Sequence, residues 1–396
     1  MATKTKFEGP VWAEVQHDAL LHNLRIIRRH VGKHRKVLAI VKANAYGHGM
    51  VPIAKTLQRA GVEYFGVTST GEGFELRESG IRRPLILLTG MWPGEELNVL
   101  RRGLTPAVTD VWQLPLLERA AAKLLRTAKK TSRRRDARFP FHLKVDTGMN
   151  RLGVLPRDTA KFIAAYADCR HLRLEGTFTH FAQAEVFTNQ ATEEQQRRLE
   201  GVLTDLRAAG VNPGLVHMAN SAGIASRPAT WADMVRPGAL LYGYHQWYVP
   251  PEIRGEMQQR LPLRPVLSLR ARVLSVKDVP AGEGVGYNWK FVAEWPSRVA
   301  VLSAGYAEGV VRLLTNRGKV ILRGRCAPIV GIVSMDVAMA DVSAIPEVQP
   351  GDIATFIGRD PDGGNCVLDA SDIAHEIGTV TSDFLCAASR VPHYHI

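Results

Sequence analysis

A lysine follows directly on an apolar, strand-like run: residues 37–41 read Val-Leu-Ala-Ile-Val, and Lys42 opens the turn that continues through Tyr46, Gly47, His48 and Gly49. Alone, such a lysine reads as a residue turning out to solvent. Partly desolvated, it can act as a nucleophile or a Schiff-base partner. Other apolar runs end in similar chemistry. Lys144 and Asp146 precede Arg151, Thr179 and His180 close a second run, Asn220 and Ser221 a third, and Arg236 with Gly238 a fourth. Each has a plain structural reading, as surface charge, satisfied core histidine, helix cap or turn. Their repeated placement at run ends is what shifts the balance towards function.

The elements that must carry these residues alternate regularly. Strands are expected at 37–41, 64–69, 85–89, 107–109, 141–145, 174–179, 216–219 and 234–236, with helices such as 17–30, 51–60, 115–125, 159–167 and 193–209 between them. In the last of these, Leu199, Val202, Leu203 and Leu206 recur at spacings of three and four, making one apolar face. Eight such units predict an α/β protein with an N-terminal (β/α)8 TIM-type barrel over residues 15–257, a doubly wound open sheet being the alternative. Beyond 258 the pattern turns to strands divided by Gly and Pro, at 266–279, 298–303, 319–322, 329–341 and 352–357. Residues 258–396, with an N-terminal strand from 1–14, are expected to form a mostly β domain.

In a barrel the active site lies at the C-terminal strand ends, where the polar residues above converge. Hydroxyls and glycines ahead of helix starts favour a phosphate. A lysine, a phosphate cradle and an arginine at one mouth suit pyridoxal phosphate, with nearby tyrosines available for proton transfer.

The segment AIVKANAYGHG, residues 39–49, resembles the cofactor-lysine motif of the alanine racemase family, and the likeness extends over nearly the whole chain. It implies that Lys42 is the Schiff-base lysine and the base on one substrate face, and that Tyr46 contacts the phosphate. GVGYN places the opposite-face base at Tyr287, which in the family reaches into the partner subunit's site, so the resemblance implies a homodimer with shared active sites. HLKVDTGMNRLG, residues 142–153, implies a carbamylated Lys144 holding Arg151 on the substrate carboxylate. THFA places His180 beneath the pyridine ring. MVRPG places Arg236 on the ring nitrogen. Asn220 and Ser221 fall among the cofactor contacts, with Gly238 and Ala239 on the phosphate through their N–H groups. SMD implies that Met335 and Asp336 are donated across the dimer, and GYAEG that Tyr306 lines the entrance. Three positions depart from the pattern. Ser389 stands where a tyrosine is usual, Ile332 where an arginine often lies in the access channel, and Ser334 where many members have cysteine. A wider, less polar mouth is the expectation.

The implied activity is interconversion of L- and D-alanine by two bases, supplying D-alanine for peptidoglycan. A racemase of broader amino-acid range is the alternative. Decarboxylases of the same build pair the pyridine nitrogen with a carboxylate, and Arg236 speaks against them. A non-catalytic cofactor carrier would leave Tyr287, Met335 and Asp336 without a purpose.

The chain has 396 residues, 45% hydrophobic and 22% charged, which excludes a mainly disordered state. Its net charge of +13 raises nucleic acid as a partner. Residues 123–138 alone hold eight basic residues against one acidic, however, in the place of an exposed connection, and no aromatic-interleaved or zinc motif accompanies them. Cys169, Cys326, Cys366 and Cys386 show no metal spacing, so no metal is expected, and reduced thiols are. Without a secretory signal or an apolar run of about 18 residues, the expectation is a cytoplasmic protein with no membrane contact.

Overall fold

Residues buried on both faces of a strand have no reason to alternate in polarity, and the first barrel strand illustrates it. In β2 (Lys36–Ile40), Val37 and Ala39 face the surrounding helices, while Leu38 and Ile40 meet Ile86 and Met234 in an inner cluster. A computed structural model describes residues 9–127, 138–361 and 363–396. In it β1 (Val11–Val15) leads into a helix, and then β2 to β9 follow: β3 (Tyr64–Val67), β4 (Leu85–Leu87), β5 (Thr105–Val108), β6 (Phe139–Lys144), β7 (Leu172–Phe178), β8 (Leu215–His217) and β9 (Met234–Val235). They pair in parallel in the order β8-β7-β6-β5-β4-β3-β2-β9. Backbone bonds from Asp233 N to Val216 O and from Arg236 N to Ala219 O, both 3.0 Å, draw the two ends together into a nearly closed barrel. All eight expected strands are present, and the open-sheet alternative falls away.

The helix His17–Val31 turns Leu20, Leu24, Ile27 and Val31 inward at helical spacing. Asn23 lies on the same face and is fully used, its amide donating to Leu241 O and Arg264 O while its Oδ1 accepts Arg264 N. That amide clamps the chain as it leaves the barrel. The helix Glu252–Arg260, not read from the sequence, lies between the two clamped residues Leu241 and Arg264.

In the C-terminal domain β10 (Leu267–Val279) is the organising strand. It pairs antiparallel with β1, with Ser297–Leu302 and with Ile353–Arg359. Because β1 joins this sheet, the N-terminus ties the two halves together. The last strand, His393–His395, lies parallel to β1. The expected long strand at 329–341 is only partly realised: Ala338–Asp341 is strand, whereas Ser334–Val337 closes a turn through Ser334 N to Val337 O at 2.9 Å. Ile329 still bridges Ala340, and Val330 N donates to Met339 O, but Ile332 and Val333 are apolar through burial in the domain core rather than strand pairing. Two short helices, Ala370–Glu376 and Thr381–Ala387, also belong to this half.

Cys326 and Cys366 form a disulfide with Cα atoms 5.8 Å apart, against the expectation of reduced thiols. Separation in sequence misleads here because the turn after Lys319–Leu322 lies on the loop before Cys366, so closely that a Cβ on Gly364 would meet Gly324 Cα at 2.5 Å. Cys169 and Cys386 are free, and burial raises both thiols, Cys169 to about 11. Most of the basic connection expected at 123–138 lies outside the described residues. No helix among the described residues is long and apolar enough to cross a membrane.

Candidate active site

After β2 the chain does something L-residues avoid. Ala43, Asn44, Ala45 and Tyr46 all take left-handed backbone angles, φ between 51° and 55°. Each such residue costs roughly 1–2 kcal/mol, so the turn persists only because its surroundings hold it. Glu72, in the capping box of the helix Thr70–Glu78, accepts Ala43 N at 2.7 Å. Asn44 Oδ1 accepts Met50 N, starting the next helix. Gly47 lies against Thr381–Ala387, where a Cβ would stand 2.2 Å from Leu385 O. His393 Nε2 lies 2.6 Å from Gly47 O, and a carbonyl can only accept, so the ring donates there. The C-terminal segment thus helps to fix the turn that presents Lys42 and Tyr46.

His48 and Tyr242 pack behind Tyr46. Their rings lie 4.5 Å apart, and Tyr46 lies 5.0 Å from Tyr242, whose hydroxyl donates to Ile40 O at 2.8 Å. His48 Nδ1 donates to Ala45 O and Tyr46 O, but burial outweighs those bonds and brings its pKa down to about 3. Burial pushes the Tyr46 hydroxyl up to about 12, so it stays protonated and able to donate. It reaches Gly238, where a Cβ would lie 2.6 Å from Tyr46 Oη; only glycine leaves that space open.

The mouth is a pocket of about 450 Å³. Lys42, Tyr46, Lys144, Arg151, His180 and Arg236 line it together with Asn220, Ser221, Gly238 and Ala239. Ten candidate residues from five strand ends therefore meet in one place. Gly238 N already donates to Ser221 Oγ at 3.0 Å, and Asn220 caps its helix by accepting Gly223 N, so these two side chains also shape the cradle.

Four cations crowd this mouth, and the neighbouring groups register them. Burial, then Arg151 and Arg236, bring Lys144 down to about 8, although Asp146 opposes the shift. Its Nζ donates to Leu88 O at 3.2 Å. For Asp146 burial works upward, but backbone N–H groups of Asn150, Gly148 and Arg151 outweigh it and hold the carboxylate below its usual range. That fan of bonds folds the loop carrying Arg151. Burial, then Arg236, Lys144, Arg151 and Lys42, hold His180 neutral.

Arg236 is buried, and its guanidinium donates to Thr179 O, His217 O and Met218 O at 2.7–2.8 Å, with His180 Nδ1 at 3.3 Å. Burial lowers it to about 9, which leaves it charged at neutral pH. Behind it runs a file of groups that sequence reading did not pick out. Arg236 Nη1 lies 3.2 Å from His217 Nδ1, His217 Nε2 lies 2.9 Å from His142 Nδ1, and His142 Nε2 lies 3.5 Å from Glu175. The signal was available in the alternation of β6, where His142 and Lys144 share the inward face. Thr68, Thr89, Gln246 and the Val380–Ser382 stretch also line the pocket without having been anticipated.

The residues expected from the C-terminal domain do not join this pocket within one chain. Tyr287 is 68% exposed and Met335 54%, Asp336 is exposed, and Tyr306 is half-buried. Ile332 is buried rather than lining a channel, and Ser389 is exposed, with its hydroxyl donating to Cys386 O.

The fold and mouth together define a barrel-plus-β enzyme scaffold with a lysine amine in the same pocket as Tyr46, Ser221 and Gly238. Comparison with known proteins specifies it further. Residues 15–246 match the family model "Alanine racemase, N-terminal domain" and residues 266–395 the "Alanine racemase, C-terminal domain". The chain belongs to the alanine racemase family. The alanine racemase of Geobacter sulfurreducens is 37% identical, covering 98% of this chain and 97% of that protein, and that of Halothermothrix orenii 36%, covering 97% and 96%. Among solved structures, alanine racemase from Streptomyces lavendulae superposes with a TM-score of 0.87 at 30% identity, covering 99% of this chain and 98% of that one. Alanine racemase from Bartonella henselae, described with covalently bound pyridoxal phosphate, has a TM-score of 0.84 at 28% identity, covering 98% and 100%.

Proposed function

We propose that this chain racemises alanine, using pyridoxal phosphate in the barrel mouth and two bases from two subunits. The observation that carries the reading is the shared pocket of Lys42, Arg236 and the Tyr46–Gly238 cradle. The residues suit the cofactor. Tyr46, with Ser221, Gly238 and Ala239, would take the phosphate, and Asn220 shapes their helix start. His180 and Arg236 would meet the ring, and Lys42 its aldehyde. When bound, pyridoxal phosphate supplies an electron sink that acidifies the Cα–H of an attached amino acid. Arg236, charged and held by three carbonyls, cannot act as a proton donor to a ring nitrogen as a carboxylic acid does, which limits the sink and with it side reactions.

Inversion needs proton transfer on opposite faces. From L-alanine, Tyr287 Oη takes the Cα proton and Lys42 Nζ returns one on the other side; the reverse direction exchanges the roles. Arg151 holds the substrate carboxylate, aided by the Met335 N–H, with Asp336 and Tyr306 near the entrance. Lys144, with its pKa near 8, has enough neutral amine at neutral pH to add carbon dioxide, and the resulting carbamate would pair with Arg151. Because Tyr287 and Met335 stand exposed and apart from the pocket, a second copy must supply them, and Trp289, 70% exposed, extends the surface to be covered. The homodimer follows from that need. D-alanine for peptidoglycan is the product role, and a cytoplasmic location goes with it, checked by cell fractionation.

The decisive experiment incubates the purified protein with pyridoxal phosphate and a panel of L-amino acids in deuterated water. Cα deuteration with inversion, strongest for alanine, is expected. Comparable rates across the panel would favour the broader-range racemase, and loss of carbon dioxide without inversion would overturn the reading.

A further inference from the structure

The apolar stripe of the helix Ala191–Ala208, which runs through Leu199, Val202, Leu203 and Leu206, reaches back one turn before Leu199 to position 195, and there it carries an amide. Gln195 is as buried as its apolar companions, at 3% exposure. A leucine would complete the stripe, whereas a buried amide costs stability unless its polar atoms are met. Here they are. Oε1 accepts Ala182 N at 2.9 Å, and Nε2 donates to His180 O and to Thr147 Oγ1, each at 3.1 Å. One side chain thus holds two strand-end loops, the one after β7 that carries His180 and the one after β6 that leads to Arg151.

The bond to Thr147 belongs to a chain with a fixed direction. Thr179 Oγ1 donates to Val145 O at 2.9 Å, so in its 2.7 Å contact with Thr147 Oγ1 it is the acceptor and Thr147 the donor. The Thr147 oxygen is then left to accept from Gln195. Gln195, Thr147, Thr179 and Val145 are all buried, and their hydrogens have one arrangement that satisfies every link. At Thr179 the chain meets Arg236, whose Nη2 donates to Thr179 O at 2.7 Å and lies 3.3 Å from His180 Nδ1. The same helix adds two grips on these loops, Arg198 Nη1 donating to Thr147 O at 3.1 Å and Thr192 Oγ1 to Gln183 O at 3.2 Å.

Under the proposed function His180 meets the cofactor ring and Arg151 the substrate carboxylate, and on that reading we propose that Gln195 is the positioning residue that sets the spacing between them. Gln195 does not line the mouth and acts only through its neighbours. Its two bonds to residues 180 and 182 fix the backbone on either side of Phe181, and with it the direction in which the imidazole leaves the strand. Its bond to Thr147 fixes the start of the loop that Asp146 folds towards Arg151. Losing the amide would let the two loops drift apart, and small misplacements of positioning groups weigh heavily on turnover.

Gln195→Met keeps the length of the side chain and loses all three bonds. Leu206→Ala, about 16 Å further along the same helix, is the control for lost stability, since it opens a cavity away from the mouth. In the cofactor-free protein carrying isotope-labelled histidine, the His180 ring-nitrogen resonances, assigned by their loss in His180→Gln, should move in Gln195→Met and stay in place in Leu206→Ala. Thr147→Val, which keeps the shape of its side chain and breaks the chain at its second link, should move them too. In the holoenzyme, kcat for alanine should fall by about tenfold or more in Gln195→Met and by less than about twofold in Leu206→Ala. Thr147→Val should cost about threefold alone, and combined with Gln195→Met less than the product of the two losses. Unmoved His180 resonances, equal losses of kcat in Gln195→Met and Leu206→Ala, or a double variant that costs the full product would each overturn the role. If the wild-type protein does not racemise alanine, it is the proposed function that has failed, and the His180 resonances still decide whether Gln195 holds that ring.

Discussion

His48 is fully buried and gives its Nδ1–H to two carbonyls, which makes it a measurable pH-dependent liability. Its pKa in the folded protein, about 3, lies below the unfolded value of 6.5. Between those values the unfolded chain binds the extra proton, so stability is complete above pH 6.5 and declines as the pH falls. The decline is about 1.4 kcal/mol per pH unit for one group. His48→Gln keeps a donor for Ala45 and Tyr46. Urea titrations at pH 6.5 and 5 should therefore show wild type losing about 2 kcal/mol more than the variant; equal losses would place the acid sensitivity elsewhere. Residues like this mark the limit of sequence reading at the site. Lys42, Tyr46, His180 and Arg236 were legible because each sits at a strand end within a long motif. His217 was not, and His142 only through the inward face it shares with Lys144, because their partners lie 19 and 75 residues away and only the barrel's closure brings them into file.

At the scale of elements, the turn from Ala43 to Tyr46 deserves a direct test of its strain. Ala43 is exposed and left-handed, so glycine there removes roughly 1–2 kcal/mol of conformational cost and adds about 0.4–1 kcal/mol of unfolded-chain entropy to overcome. Ala43→Gly should raise stability by about 0.5–1 kcal/mol in chemical denaturation. It should also lower kcat more than tenfold, because the neighbouring Lys42 loses a rigid support. A variant less stable than wild type would mean that the turn is not strained. The sequence could not announce this turn, since in Ala-Asn-Ala-Tyr only Asn44 tolerates a left-handed path well, and the other three hold it only with Glu72, Leu385 and His393 around them. The eight barrel strands were legible for the opposite reason: burial on both faces writes them as short apolar runs between amphipathic helices. The helices Ala370–Glu376 and Thr381–Ala387, seven residues each, are too short for their periodicity to stand out. The long run at 329–341 was over-read because core burial and strand pairing leave the same apolar trace.

On the scale of the whole molecule, the proposed function leaves one chain with an incomplete site. Lys42 lines the mouth, whereas Tyr287 stands exposed on the C-terminal domain and is absent from the pocket lining. Under the proposed function the two bases belong to different subunits, and this has an arithmetic consequence. Lys42→Ala and Tyr287→Phe should each be nearly inactive as homodimers. Refolded together from an equal mixture, about half of the dimers are mixed, and each mixed dimer contains one site with both bases intact and one with neither. Alanine racemisation should return to about a quarter of the wild-type rate per chain. If both bases came from the same chain, every mixed dimer would carry two crippled sites and no activity would return. A control mixture of Lys42→Ala with Arg236→Lys, both altered in the same barrel, should likewise regain nothing, because no pairing of those chains rebuilds a complete mouth. Recovery in the first mixture and not in the second would assign Lys42 and Tyr287 to opposite sides of the interface without any structure of the dimer.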